Sequence, residues 1–143
     1  MQNPPFSHAR RAYAVDEYYK TQSSRDELLE NALRLQDRYG EGDWYCNPSE
    51  PEIIKHLSEK VYARKNEGKR EDGIRELGSR LVKQGDGRCR LYVHSRCGNL
   101  LHEMLVYDPE KKQFDHAIDA LRYAVMGGKP NTEPIQILFA KRP

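Results

Sequence analysis

Along the chain, short runs rich in tyrosine and valine alternate with longer stretches whose apolar residues recur every three or four positions. The first pattern suits strands, the second one face of a helix. Residues 1–11, with Pro4 and Pro5, read as a loosely held arm. AYAVDEYYK (12–20) predicts a strand, and the stretch after it predicts a helix with Leu28, Leu29, Ala32, Leu33 and Leu35 on one face. Ser23 or Ser24 would cap that helix and Gly40 would stop it. WYCNP (44–48) reads as a short buried strand ended by Pro48, followed by a helix capped by Ser49. Pro51 falls in that helix's first turn, where a missing amide donor costs nothing.

The same alternation continues. VYARKNEGKR (61–70) is an extended piece running into a charged loop, and Ile74, Leu77, Leu81 and Val82 define the next helix. QGDG makes a turn, RCRLYVH (88–94) alternates like a strand, and GNLLHEMLVY (98–107) returns to helical spacing. The polar loop DPEKKQ then leads to FDHAIDALRYAV (114–125), whose Ala117, Ile118, Leu121, Ala124 and Val125 form an apolar stripe. The tail NTEPIQILFAKRP either adds an edge strand or lies along the surface. Strands alternating with helices predict an α/β sheet with helices on its faces. In such sheets, sites form at the carboxyl ends of strands and at adjoining helix starts. Two stretches qualify: Asn47 to Glu50, and Asp115 to Asp119.

Length and composition narrow the class. With 143 residues and 37% hydrophobic content the chain supports one domain with a real core. Its net charge of +2 is too small for binding a polyanion by bulk electrostatics, so any such contact needs a local patch. The sequence shows no apolar run of membrane-span length and no signal-peptide centre, which leads to the expectation of a cytoplasmic protein. Three cysteines, an odd number, suggest reduced thiols.

Candidate chemistry concentrates in the last helix. Asp115 and Asp119 stand four apart and His116 and Asp119 three apart, so all three share one side of the first turns. The carboxylates repel there, and a divalent cation would offset that. The alternative needs no metal: Asp115 caps the helix, Asp119 pairs with Arg122 one turn later, and both gain from the helix dipole. Cys89, His94, Cys97 and His102 are four possible zinc ligands, but they spread over a strand, a turn and a helix and lack paired C-x-x-C elements. Cys46 lacks a nucleophile signature and reads as core. ARKNEGKRED (63–72) and the closing AKRP are either phosphate contacts or solvated loop charge. No phosphate-cradling G-x-x-x-x-G-K-[ST] occurs, so the sequence does not read as a P-loop ATPase.

Taken in order, VDEYYK, WYCNPSEPEII, GIRELGSRLV, RLYVHSRCGNLLHEMLVY and DHAIDALRYAV resemble the C-terminal nuclease domain of the large terminase subunit of tailed bacteriophages, over residues 12–126. Residues 127–143 would then form a C-terminal extension. The resemblance implies an RNase H-like mixed sheet flanked by helices, and a metal-dependent endonuclease that cuts concatemeric DNA during genome packaging. In such nucleases clustered carboxylates hold two magnesium or manganese ions, one activating water and the other stabilising the leaving oxygen. Carried over, Asp119 matches the last metal-binding aspartate, His116 a histidine found in part of the family, and Asp115 is an acid in the same turn; Arg122 and Tyr123 hold the helix.

Two departures set the functional expectation. The family's acid in a D-x-x-E-P context is Asn47 here, which keeps a carbonyl ligand but loses the charge, with Glu50 as partial compensation if it points inward. The family's first strand, with its central catalytic aspartate, has no counterpart; AYAVDEYYK resembles a later strand and Asp16 does not match that residue. The packaging ATPase domain has no counterpart either. One reading is a nuclease complemented by an upstream polypeptide in the bacterial host cell. The other is a prophage-derived domain that folds and binds double-stranded DNA, the packaging ATPase, the small terminase or the portal protein without cutting. Losing a central strand also exposes a sheet edge that invites pairing.

Overall fold

Ser24 starts the first helix as its sequence promises, its hydroxyl accepting the Glu27 amide N–H, and α1 (Arg25–Tyr39) ends where Gly40 adopts a positive φ of 104°. The structure, a computed structural model, describes residues 11–20, 22–66, 68–108, 110–111 and 116–128. Around α1 lie β1 (Ala12–Ala14), β2 (Asp43–Cys46), α2 (Pro51–Leu57) and β3 (Tyr62–Lys65). They are followed by α3 (Arg70–Leu81), β4 (Leu91–Val93), α4 (Gly98–Val106) and α5 (His116–Gly128). Asp115 and the tail from residue 129 lie outside the described residues, as do the arm over 1–10 and the question of an edge strand near the end.

The α/β class holds, with a different sheet arrangement from the one expected. Among the described residues there are two separate two-stranded parallel sheets, β1–β4 and β2–β3, and not one mixed sheet. Helical connections explain the direction: α2 carries the chain from the end of β2 back to the start of β3, which leaves the two strands parallel. Their register runs from Asp43 opposite Tyr62 to Cys46 opposite Lys65. Two boundaries also differ. The strand expected over 12–20 stops at Ala14, and α5 continues past Val125 to Gly128.

Each sheet has its own core. Ala12, Ala14, Leu77, Leu91, Cys97 and Leu100 pack with Ala117, Ile118, Leu121 and Val125 of α5. Leu28, Leu29, Ala32 and Leu35 pack with Trp44, Ile53, Leu57 and Val61. Burying a side chain such as Leu121 contributes on the order of 1.5–3 kcal/mol, so the apolar stripe of α5 secures it in the first core. The sequence pattern misplaces the end of α3. Leu81 and Val82 are exposed because the helix gives way to extended backbone at Val82, while Arg80 is buried through its ion pair to Glu76 at 2.9 Å.

Two glycines set the position of α5. A β-carbon on Gly73 of α3 would meet the Arg122 side chain at 2.5 Å, and one on Gly127 would meet the Tyr45 ring of β2 at 2.2 Å. Small residues there let α5 approach α3 on one side and β2 on the other. Its stripe therefore enters one core while its opposite face looks toward the second sheet.

Candidate functional site

That opposite face carries His116, Asp119, Ala120 and Tyr123, spaced so that they line one side of a helix. With β2 and the start of α2 it bounds a cleft of about 320 Å3. Trp44, Tyr45, Cys46 and Asn47 line it from the strand and its end, Ser49 and Glu50 from the turn, and Leu28, Ile53 and Leu57 from the helices. Thus Asn47, Glu50, His116 and Asp119 share one cleft although about seventy positions separate the two motifs. Ser49 and His116 are exposed at its mouth, while Leu28, Trp44, Ile53 and Leu57 line it from buried positions.

The β2–α2 turn is built by Asn47 itself. Its side-chain oxygen accepts the Ser49 N–H at 3.0 Å and the Ser49 hydroxyl at 2.8 Å, the local bonding that makes asparagine a turn residue. The Glu50 N–H donates to the Asn47 carbonyl, which closes the turn. Glu50, and not Ser49 as the sequence suggested, occupies the N-cap position of α2, with Pro51 following. The reason is that Ser49 already spends its hydroxyl on Asn47.

Asp119 makes the ion pair with Arg122 that the metal-free alternative required. It lines the cleft, half-buried, and one carboxylate oxygen receives Arg122 Nη2 at 3.3 Å. The Arg122 guanidinium lies over the Tyr123 ring, 4.6 Å from its centre. Burial, and next the nearby Asp119 charge, raise the Tyr123 hydroxyl above its ordinary range. His116 is exposed at the mouth. As for the cap, the Ala117 and Ile118 amides, which a side chain at position 115 would serve, both donate to Glu103 of α4.

The other candidates separate cleanly. Cys89, His94, Cys97 and His102 all lie among the described residues, where no three His, Cys, Asp or Glu side chains group to hold a metal. Cys97 is buried with its thiol toward the Ala14 carbonyl, and His94 accepts the Arg96 N–H at 3.0 Å. Cys46 lines the cleft, but burial, reinforced by the Glu50 charge, pushes its thiol up to about 11, which keeps it protonated at neutral pH. In the basic stretch, Arg64 pairs with Asp43 at 2.7 Å and Arg70 reaches the Tyr107 hydroxyl at 3.2 Å, while Lys65 is exposed.

Magnesium and manganese prefer several oxygen ligands, mostly charged. The described cleft offers Asp119, already paired with Arg122, along with Glu50 and an Asn47 carbonyl engaged by Ser49. That set falls short of a two-ion centre. Tyr45 and Tyr123 are polar lining residues that the sequence did not assign to the site. Tyr123 had a signal, since it lies four residues after Asp119 on the same face; Tyr45 had none. Compared with protein-family profiles, curated protein sequences and solved structures, the chain matches none.

Proposed function

We propose that the chain is a terminase-type nuclease-like domain, RNase H-like in ancestry, that binds double-stranded DNA or packaging proteins and does not cut DNA by itself. The observation that carries this reading is the shared cleft: the CNPSEPEII turn and the DHAIDALRYAV helix meet at Asn47, Glu50, His116 and Asp119. The second of these is the stretch in which the family resemblance is most specific. The absence of activity follows from charge. Asn47 brings no negative charge and Asp119 already has a cationic partner, so among the described residues Glu50 is the one further carboxylate lining the cleft, fewer than two divalent ions require.

The experiment is plasmid cleavage by the purified chain with magnesium or manganese, together with a gel-shift assay on linear duplex DNA. Little or no cleavage is expected. Robust cleavage that Asp119→Ala abolishes would overturn the non-cutting reading.

A second reading, a nuclease complemented by another polypeptide, is favoured by the form of the cleft. Successive residues of a strand face opposite sides, yet Trp44, Tyr45, Cys46 and Asn47 all line the same space. Among the described residues β3 holds one edge of β2, and the other edge pairs with no described strand. An added strand would pair there, insert apolar side chains among Leu28, Ile53 and Leu57, and bring a further carboxylate to the mouth. Co-expression with the polypeptide encoded directly upstream would then restore cleavage that depends on Asp119. Continued inactivity of a stable complex would rule this reading out.

A further inference from the structure

The charge of Asp119 is balanced from within the protein. Arg122 sits one turn later with its side chain 7% exposed, and Nη2 lies 3.3 Å from Asp119 Oδ1. Its aliphatic stem occupies the space that the missing side chain of Gly73 leaves, which brings a long cationic residue into the interior against α3. The guanidinium rests on Tyr123, and its Nε is buried without a hydrogen-bond partner. Burying an arginine on so few hydrogen bonds is costly and calls for a compensating interaction. Its ion pair with Asp119 supplies one.

We propose that Arg122 is the cleft's own counter-cation, which neutralises Asp119 in the folded chain and keeps divalent ions off it. The inference rests on the functional reading above only in taking Asp119 as the carboxylate that a divalent ion would seek. Two effects compete when Arg122 is changed. Arginine orients Asp119, which favours coordination, but it also places a full positive charge within a few Å of any ion bound there. Like charges at that range in a half-buried site interact far more strongly than a rotamer restraint does. Charge therefore decides the direction, and removing it strengthens cation binding.

The test uses Mn2+ alone, followed by paramagnetic broadening of the His116 imidazole signals in the whole chain. Arg122→Met keeps a flexible apolar stem against Gly73 and removes the charge, while Arg122→Lys keeps the charge. In Arg122→Met the broadening midpoint falls to Mn2+ concentrations about tenfold lower or more, and in Arg122→Lys it stays near wild type. Adding Asp119→Asn to Arg122→Met abolishes the gain. A midpoint that is unchanged or higher in folded Arg122→Met overturns the proposal, as does the absence of broadening in every variant. Should Arg122→Met fail to fold, Arg122→Gln, which also removes the charge and keeps an unbranched stem against Gly73, gives the same comparison. Failure of the functional reading is seen separately: if neither the chain nor its complex touches DNA, the Mn2+ shift still stands.

Discussion

Glu103 of α4 accepts the main-chain N–H of Ala117, the second residue of α5, at 2.7 Å. The same oxygen accepts Ile118 N–H at 3.1 Å, and the other oxygen receives the Tyr19 hydroxyl at 3.0 Å. Helix amino termini leave their first amides without internal partners, and a buried carboxylate there meets both the bonds and the dipole. Glu103 is 2% exposed, so water cannot replace it. Glu103→Ala should destabilise the fold by roughly 2–3 kcal/mol, since buried donors are left unpaired. Glu103→Gln keeps one accepting oxygen for the two amides but loses the charge and puts a donating NH2 where Oε2 accepts the Tyr19 hydroxyl, a smaller cost of about 1–2 kcal/mol. Urea unfolding followed by Trp44 fluorescence measures both; negligible losses in both would show that α5 is seated by packing alone.

Two glycine-to-alanine changes should have opposite signs. Gly78 lies in α3 with nothing within 4 Å of an added β-carbon, so alanine gains helix propensity and stabilises by up to about 1 kcal/mol. Gly127 lies in α5, where the added carbon would come within 2.2 to 2.6 Å of the Tyr45 ring. Overpacking of that kind costs about 1–3 kcal/mol, and here it pushes α5 from β2 and opens the cleft. Thermal melts of the two variants check the signs.

Much of this arrangement was legible in the chain because it follows from local periodicity. The stripe Ala117, Ile118, Leu121 and Val125 predicted which face of α5 is buried, and the rule of strand ends and helix starts pointed to stretches whose Asn47, Glu50, His116 and Asp119 line one cleft. What failed to show was long-range or depended on a competing partner. Glu103 serves α5 across fourteen residues, with nothing in its own surroundings to mark it as a cap. Gly73 looks like a poor helix residue until Arg122 is seen against it. Ser49 reads as a cap by type, and only the bond to Asn47 shows why Glu50 has that position. Sheet pairing was equally hidden, because β1 meets β4 across most of the chain.

Thiol chemistry gives a third test. Cys46 and Cys97 are each pushed up to about 11 from an ordinary value of 9.0, first by burial and next by a glutamate charge, from Glu50 and Glu17 respectively. At pH 8 the thiolate fraction falls about a hundredfold relative to an unperturbed thiol. Iodoacetamide should therefore label both positions about a hundredfold more slowly in the folded chain than in urea, read by mass spectrometry. The linkage has a definite sign. The folded state holds these protons longer than the unfolded state, so the contribution to stability is complete below about pH 9 and is lost as pH rises toward 11. Denaturation midpoints that rose across that interval would contradict the assignment.

Placing an acid at position 47 tests whether the strand end belongs to a cation site. The Asn47 side-chain oxygen holds Ser49 through two hydrogen bonds, and aspartate can accept both with the same geometry, so Asn47→Asp preserves the turn. It adds a negative charge to a cleft that already contains Glu50 and Asp119. Without a bound ion, the added repulsion should lower stability by a few tenths of a kcal/mol. With Mn2+ present, the same repulsion becomes attraction for the ion, and both the His116 broadening and the thermal midpoint should respond at lower metal concentrations than in wild type. The gain should be greater in the Arg122→Met background, because the competing cation is gone. If Asn47→Asp loses stability yet leaves the Mn2+ response unchanged in both backgrounds, position 47 shapes the turn and stands outside the coordination sphere.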